Sequence, residues 1–289
     1  TRKITTITEE LCGRSFSKST VSALCAALDP IVIAFRDRQL EKRYPFVMAD
    51  ALYTRVRENG RIRSKGFMVA VGINEQGFRE ILGFSCADSE TEAGWTTFFR
   101  ELKGRGLSQV DMVISDSHKG LVKAVKQCFQ GAAWQRCQTH FSRNMLDVCP
   151  KKLHPEMKAA LKSLYEAGDY ETAVLLRDNI LLRFQQEAPK AAALLEESFE
   201  DVMAVLSLPY AMRRRLRTTN GIERLNEEIR RRERVIRIFP NEESLSRLIG
   251  ALLMEINDGW QSGKVYLDLT AYLTQQLQVD KPTAKKSVA

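Results

Sequence analysis

The chain has 289 residues, 44% of them hydrophobic, enough for one large domain or two small ones with a substantial core. Its net charge of +8 favours a polyanionic partner without requiring one. Six scattered cysteines without a disulfide-framework spacing, and no apolar run of membrane-spanning length, argue against a disulfide-stapled secreted scaffold and a helical membrane protein. The expected compartment is therefore a reducing, cytoplasmic one. The opening Thr1-Arg2-Lys3, with no initiator Met, leads us to expect that more sequence precedes it in the whole protein.

Residues 2–11 read as a short helix and 17–24 as a second one, after a turn containing Gly13. A helix, a tight turn and a helix opening with Lys18, Ser19 and Thr20 form the helix-turn-helix pattern, with Lys18 and Ser19 placed to reach DNA. A plain scaffold hairpin gives the same pattern. Residues 30–43 read as a charged helical connector. From Tyr44 the period changes: Phe46–Leu52, Gly66–Ile73 and Glu80–Cys86 are short β-rich runs, separated by turn signals at Glu58-Asn59-Gly60 and Asn74-Glu75-Gln76-Gly77. They predict an antiparallel meander. Glu90–Lys103 is an amphipathic helix with Trp95, Phe98, Phe99 and Leu102 on one face. A strand over Val110–Ser115, a helix over 117–129 and a strand over Ala132–Cys137 complete a mixed α/β sheet with helices on its faces.

Residues 141–217 read as helical throughout: His154–Ala167, then 170–188 capped by Asp169, then a helix from Pro189 to about Leu206. Further helices are expected around Glu223, over Asn241–Asn257 and over 264–277. The Lys/Pro/Ser-rich tail from Lys281 has a disordered composition.

Three acids occupy three settings. Asp50 closes the apolar run Phe46-Val47-Met48-Ala49 and shares a strand face with Phe46 and Met48. It is either a strand end emerging into water or a functional carboxylate. Asp116 closes Val113-Ile114-Ser115; it could cap helix 117–129, but Ser117 is as good a cap. Asp111 lies on the opposite face of that strand, at its start. Glu223, with Asn220 as N-cap, would sit at N3 and complete a capping box. Against that reading, its helical face also carries Asn226, Glu227 and Arg230, and basic runs flank it on both sides. Two strand-end carboxylates and a helical Glu can form an all-oxygen site for hard cations.

Five ordered segments then carry a resemblance. They are Tyr44-Pro45-Phe46 through Asp50-Ala51-Leu52-Tyr53, Val113-Ile114-Ser115-Asp116-Ser117-His118-Lys119-Gly120-Leu121, Trp134 through the Cys137-Gln138-Thr139-His140 motif to Asn144, Thr219-Asn220-Gly221-Ile222-Glu223-Arg224-Leu225-Asn226, and Ile238-Phe239-Pro240-Asn241. With these, residues about 40–262 resemble the Mutator-type family of bacterial insertion-sequence transposases. The resemblance implies a ribonuclease H-like catalytic fold, with Asp50, Asp116 and Glu223 as the Asp-Asp-Glu triad and Arg230 as the basic residue on the triad's helix. It also implies that block 141–217 is an all-α insertion. The expected division is 1–40, a helix-turn-helix remnant and connector; 41–140, the first part of the catalytic domain; 141–217, the insertion; 218–262, the second catalytic part; and 263–289, a C-terminal helix and tail.

The chemistry implied is metal-dependent cleavage of DNA at insertion-sequence ends, followed by transfer of the 3′-hydroxyl to target DNA. Two Mg²⁺ ions held by the three acids would serve it, with Mn²⁺ able to substitute. The expected partners are the terminal inverted repeats, target DNA and a second copy of the chain, which a homodimer or larger assembly would supply. Arg213, Arg214, Arg215, Arg217, Arg230 and Arg231 are expected to hold the DNA backbone. Cys137 and His140 are expected to support the site. Cys-x-x-His could also be half of a zinc centre completed by Cys149 and His154. His118 could touch DNA or cap its own helix. Trp95 and Trp134 read as core. Two rivals stand beside this reading: another ribonuclease H-like nuclease, and a DNA-binding, cleavage-inactive transposase acting as a regulator.

Overall fold

The structure is a computed structural model and describes residues 17–279. The expected helix over 2–11 and the tail from Lys281 lie outside the described residues. Five strands form one mixed sheet in the order β3-β2-β1-β4-β5. These are β1 (Phe46–Glu58), β2 (Arg61–Ile73), β3 (Arg79–Ala87), β4 (Met112–Ser115) and β5 (Ala133–Arg136). β1, β2 and β3 are antiparallel neighbours, whereas β4 runs parallel to β1 and β5 parallel to β4.

The meander is longer than the apolar runs predict. Asn59 and Gly60 both adopt positive φ, 48° and 76°, which is the two-residue turn that matches strand twist. The hairpin therefore zips from Glu58↔Arg61 down to Phe46↔Ile73. In its outer half β2 is polar and exposed from Arg61 to Ser64, while on β1 Leu52, Thr54 and Val56 still alternate inward, so apolar runs alone stop short of the hairpin's end. The outer half is fastened by the motif at 238–241. Arg57 N donates to Phe239 O, Phe239 N donates to Arg55 O, and the Phe239 ring is buried.

The first short helices are α1 (Lys18–Ala26), capped by Ser17, and α2 (Asp29–Asp37). The expected connector is thus helical only to Asp37, and the chain then runs extended into β1. α2 is bound to the body of the fold by Asp29, which accepts two hydrogen bonds from Arg247 at 2.5 and 2.7 Å. One face of the sheet is covered by α3 (Glu92–Gly104) and α4 (Lys119–Cys128) over Trp95, Phe98, Phe99 and Leu121. The other is covered by α10 (Asn220–Ile236) and α11 (Glu242–Gln261), over Phe46, Met48, Leu52, Phe67 and Val69. Alternate residues of β1 feed the two cores, as strand geometry requires.

Between β5 and α10 the chain makes an all-helical excursion. It comprises α5 (Gln138–Val148), α6 (His154–Tyr165), α7 (Tyr170–Phe184), α8 (Pro189–Met203) and α9 (Tyr210–Leu216), with short 3₁₀ turns at Lys151–Leu153 and Ala204–Ser207. Asp169 caps α7 through a 2.7 Å bond from Thr172 N. These helices enclose a core of their own, including Phe141, Met157, Phe184, Leu195 and Phe199. The excursion closes where it opened: Gln138 N donates to Arg217 O at 3.0 Å. The last helix is α12 (Thr270–Val279).

The segment before α12 is pinned to the sheet by Gly77, whose carbonyl accepts from Tyr266 N and Leu267 N at 2.9 and 3.1 Å. Gly77 sits at φ 83°, and a Cβ there would overlap the Leu267 carbonyl. Gly77→Ala is expected to destabilise the fold by at least about 2 kcal/mol, because strain and a backbone clash coincide. Urea unfolding checks this through the transition midpoint.

Candidate active site

The β1–β4 register pairs Phe46 with Met112 and Met48 with Ile114. Continued by two residues, it sets Asp50 opposite Asp116. The ladder stops just before them, because β4 ends at Ser115 while β1 runs on with β2 alone. The two aspartates thus lie where parallel strands part, the edge at which open α/β sheets form their ligand sites. Asp50 Oδ1 accepts from Ala51 N at 2.9 Å and Asp116 Oδ1 from His118 N at 3.1 Å. Burial, and then the neighbouring Asp116 carboxylate, push Asp50 up to about 7.

The third acid arrives on α10. Ile222, Leu225 and Ile229 bury one side of this helix against β1, and Asn226 Nδ2 donates to Asp50 Oδ2 at 2.8 Å. Glu223, one turn earlier, is therefore carried to the same sheet edge. The capping-box reading fails. The N-cap is Thr219 rather than Asn220, its hydroxyl lies 3.4 Å from Glu223 Oε1, and it makes no side-chain cap bond to the helix. Ser117 is likewise no cap: α4 starts at Lys119 behind His118, and Asp116 makes the local turn bond. Asp111 is engaged elsewhere, by Arg43 at 2.9 Å and the Tyr272 hydroxyl at 2.8 Å.

Cys137 and His140 explain how Glu223 is held across the helical excursion. The buried Cys137 Sγ accepts from Thr219 N and Thr219 Oγ1 at 3.4 and 3.2 Å, tying the root of α10 to the end of β5. His140 Nε2 lies 3.9 Å from Glu223 Oε1. The Cys137 thiol beside it pushes His140 up to about 9; burial opposes this, while Asp50 and Glu223 add to it. Burial raises the Cys137 thiol, but hydrogen bonding with His140 and Thr219 prevails and lowers it. Cys137, His140 and Glu223 bring their ligand atoms within 4.8 Å of one another. Cys149 and His154 do not join them: the His154 ring bonds the Cys149 carbonyl instead, at 3.0 Å. The four-ligand zinc centre is therefore not assembled.

The donor set suits hard cations. Asp50, Asp116 and Glu223 offer oxygens, and Asn226 Oδ1 is buried without a hydrogen-bond partner. Among the described residues no Lys or Arg forms an ion pair with any of the three acids; the one such contact is that of His140 with Glu223.

With this geometry in view, a family model described as "Transposase, Mutator family" matches residues 1–263. The chain belongs to that family. It is 45% identical over 272 residues to the transposase of insertion sequence element IS256 in transposon Tn4001 from Staphylococcus aureus, covering 93% of this chain and 70% of that one. It is 41% identical to the ISRM5 transposase of Rhizobium meliloti, covering 93% and 68%. It is also 41% identical to the IS1081 transposase of Mycobacterium tuberculosis, covering 93% and 65%. Among solved structures, the HTLV-2 integrase catalytic core domain in complex with magnesium aligns with 46% of the chain and 92% of its own at 13% identity, with a TM-score of 0.23, too low to bear on the fold.

The basic residues of this Mutator-family chain divide in two. Arg213 is a structural clamp, with its guanidinium donating to the carbonyls of Leu208, Gly168 and Leu206 at 2.8, 2.7 and 3.0 Å. Arg217 donates to Tyr165 O at 3.0 Å. Arg231 is engaged by Glu228 at 2.6 Å. Arg214, Arg215 and Arg230 are exposed and form no ion pair among the described residues. Ser19 is exposed on α1, where its hydroxyl lies 2.7 Å from Ser17, and the Lys18 side chain lies outside the described part. Trp95 is core, as expected; Trp134 is half-buried and donates to Ser115 Oγ.

Sequence reasoning missed Glu90. It comes from the loop before α3, and its carboxylate lies 3.7 Å from His118 Nδ1. Burial pushes it up, with Asp116 adding and His118 opposing. Nothing in Ser89-Glu90-Thr91 marks it, because its neighbours come from the β4–α4 turn.

Proposed function

We propose that this chain cuts DNA at insertion-sequence ends and joins the freed 3′-hydroxyl to target DNA, with Asp50, Asp116 and Glu223 as the catalytic carboxylates on a ribonuclease H-like core. The observation that carries the proposal is the 2.8 Å bond from Asn226 to Asp50, which holds the Glu223 helix against the edge bearing both aspartates. Family membership and the sheet of three antiparallel and two parallel strands support the same reading.

The three acids would hold divalent cations, Mg²⁺ with Mn²⁺ as substitute, which when bound polarise the attacking oxygen and neutralise charge on the phosphate. The chain's own residues do the rest by positioning and electrostatics. Ala51 N and Asn226 fix both oxygens of Asp50, His118 N fixes Asp116, and the His140 cation stands beside Glu223. A cation at Asp50 would favour its ionised form over the protonated one that burial promotes. Pairing two element ends would require a homodimer or larger assembly.

The test is incubation with labelled DNA carrying the terminal inverted repeats, in Mg²⁺, beside RNA–DNA hybrids and branched junctions. Nicking confined to the element ends is expected. Selective cutting of hybrids or junctions would make it another nuclease, and binding without nicking would make it a regulator. Asn226→Ala should lower nicking about 10–100-fold, as loss of a group that orients a ligand does, and raise the Mn²⁺ concentration needed for half-maximal rate. A metal titration of both proteins checks this.

A further inference from the structure

Beside the root of α10, a cavity of about 370 Å³ is lined by Arg79, Arg214, Arg215, Arg224, Asn220 and Tyr266. No carboxylate lines it, and none of its four arginines forms an ion pair among the described residues. Arg79 is the built part. Its guanidinium is held 4.1 Å from the Trp260 ring centroid and 4.4 Å from that of Tyr266. Arg215 lies over the same Tyr266 ring at 5.1 Å. Stacking between two rings leaves the edge of a planar guanidinium free to donate. Burial pushes Arg79 below its usual range; the nearby Tyr266 hydroxyl opposes this, and the cations of Arg215 and Arg224 add to it.

The sequence assembles this cluster from distant pieces: the start of β3, the end of α9, the first turns of α10, and the segment pinned by Gly77. Gly221 lets them meet, since a Cβ there would sit 3.3 Å from the Tyr266 hydroxyl and 3.4 Å from Met48 Sδ. The amino end of a 17-residue helix adds its positive dipole. Four unneutralised guanidiniums around a solvent-open cavity are costly in isolation and suit a phosphate group, which arginine binds bidentately.

We propose that this cavity is an anchoring site for one backbone phosphate of the DNA strand entering the active site, a few nucleotides from the phosphate that is cut. Arg224 follows Glu223 directly in the chain, and Gly221, which lines the cavity two residues before Glu223, backs onto the buried Met48, two residues before Asp50. A strand bound here is therefore led to the carboxylates. The proposal rests on the reading of the chain as a DNA-cutting enzyme, but its test reads binding rather than cutting.

The experiment measures affinity for end DNA in Ca²⁺ without turnover, with single phosphates replaced one at a time by neutral methylphosphonates. One position should weaken wild-type binding about tenfold. At that position Arg224→Gln and Arg215→Gln, both at exposed sites, should show little further loss, and the two together should lower the salt slope by at most about one. Arg79→Gln gives the same result if it folds, which circular dichroism reports. Arg234→Gln, at the far end of α10, should leave the methylphosphonate profile unchanged. Two results would overturn the proposal. One is loss by Arg224→Gln that is uniform over all phosphates and equal to that of Arg234→Gln. The other is Arg215- and Arg224-dependent binding of free inorganic phosphate or pyrophosphate with no sensitive position in DNA. If the pattern holds but no nicking occurs in Mg²⁺, the anchor stands and the catalytic reading fails.

Discussion

Asp50→Asn, Asp116→Asn and Glu223→Gln should each lower Mg²⁺-dependent nicking of end DNA by about a thousandfold or more. The substitutions keep shape and remove one negative charge from a set that has no Lys or Arg partner. Asp50→Asn keeps one acceptor oxygen where Asp50 uses two, for Ala51 N and Asn226 Nδ2, so circular dichroism separates lost charge from lost fit. DNA affinity should be unchanged or slightly tighter, since a carboxylate beside a phosphate repels it. Double substitutions should be hardly worse than single ones, because residues that act as a unit are strongly non-additive. Glu90→Gln, which removes a carboxylate already engaged by His118, should cost far less, about tenfold at most. Single-turnover nicking assays with filter-binding controls check the series. Retained cleavage in any one variant would remove that residue from the site.

The second large effect concerns stability against pH. Asp50 is pushed up to about 7 from an unfolded value of 3.8. The folded state therefore binds the proton more tightly than the unfolded one. Its contribution to stability is fully present below pH 3.8, declines as pH rises, and is gone above about pH 7. Three units correspond to at most about 4 kcal/mol. Asp50→Asn, which cannot ionise, should accordingly melt several degrees higher than wild type at pH 8, with the difference vanishing near pH 4. Added Mg²⁺ should raise the wild-type melting temperature at pH 8 and narrow that gap, but barely move the variant. Scanning calorimetry across pH checks both signs.

The sheet-edge position of Asp50 and Asp116 is legible because a strand announces itself by apolar residues and its end by the first acid that breaks the run. Glu223 was legible only through the family motif. By local rules it is a capping residue, and the reason it is not lies at Cys137, 82 residues before Thr219, whose donors that thiol takes. Arg213 failed in the opposite way: an arginine run looks like a phosphate grip, and the three carbonyls that occupy Arg213 carry no sequence signature. Arg79 could not be found at all, since its rings come from Trp260 and Tyr266, some 180 positions on. Helix capping by Asp169, which accepts from Thr172 N three residues on, is readable from the sequence. Local hydrogen bonding is written in the sequence; groups brought together by topology are not.

The most direct test of the account is a crystal structure of the protein with Mn²⁺, using anomalous scattering to locate the metal. Anomalous peaks bounded by Asp50, Asp116 and Glu223 are expected, with Asn226 still bonded to Asp50. Manganese bound elsewhere, or Glu223 turned away from the two aspartates with the metal bound, would contradict it.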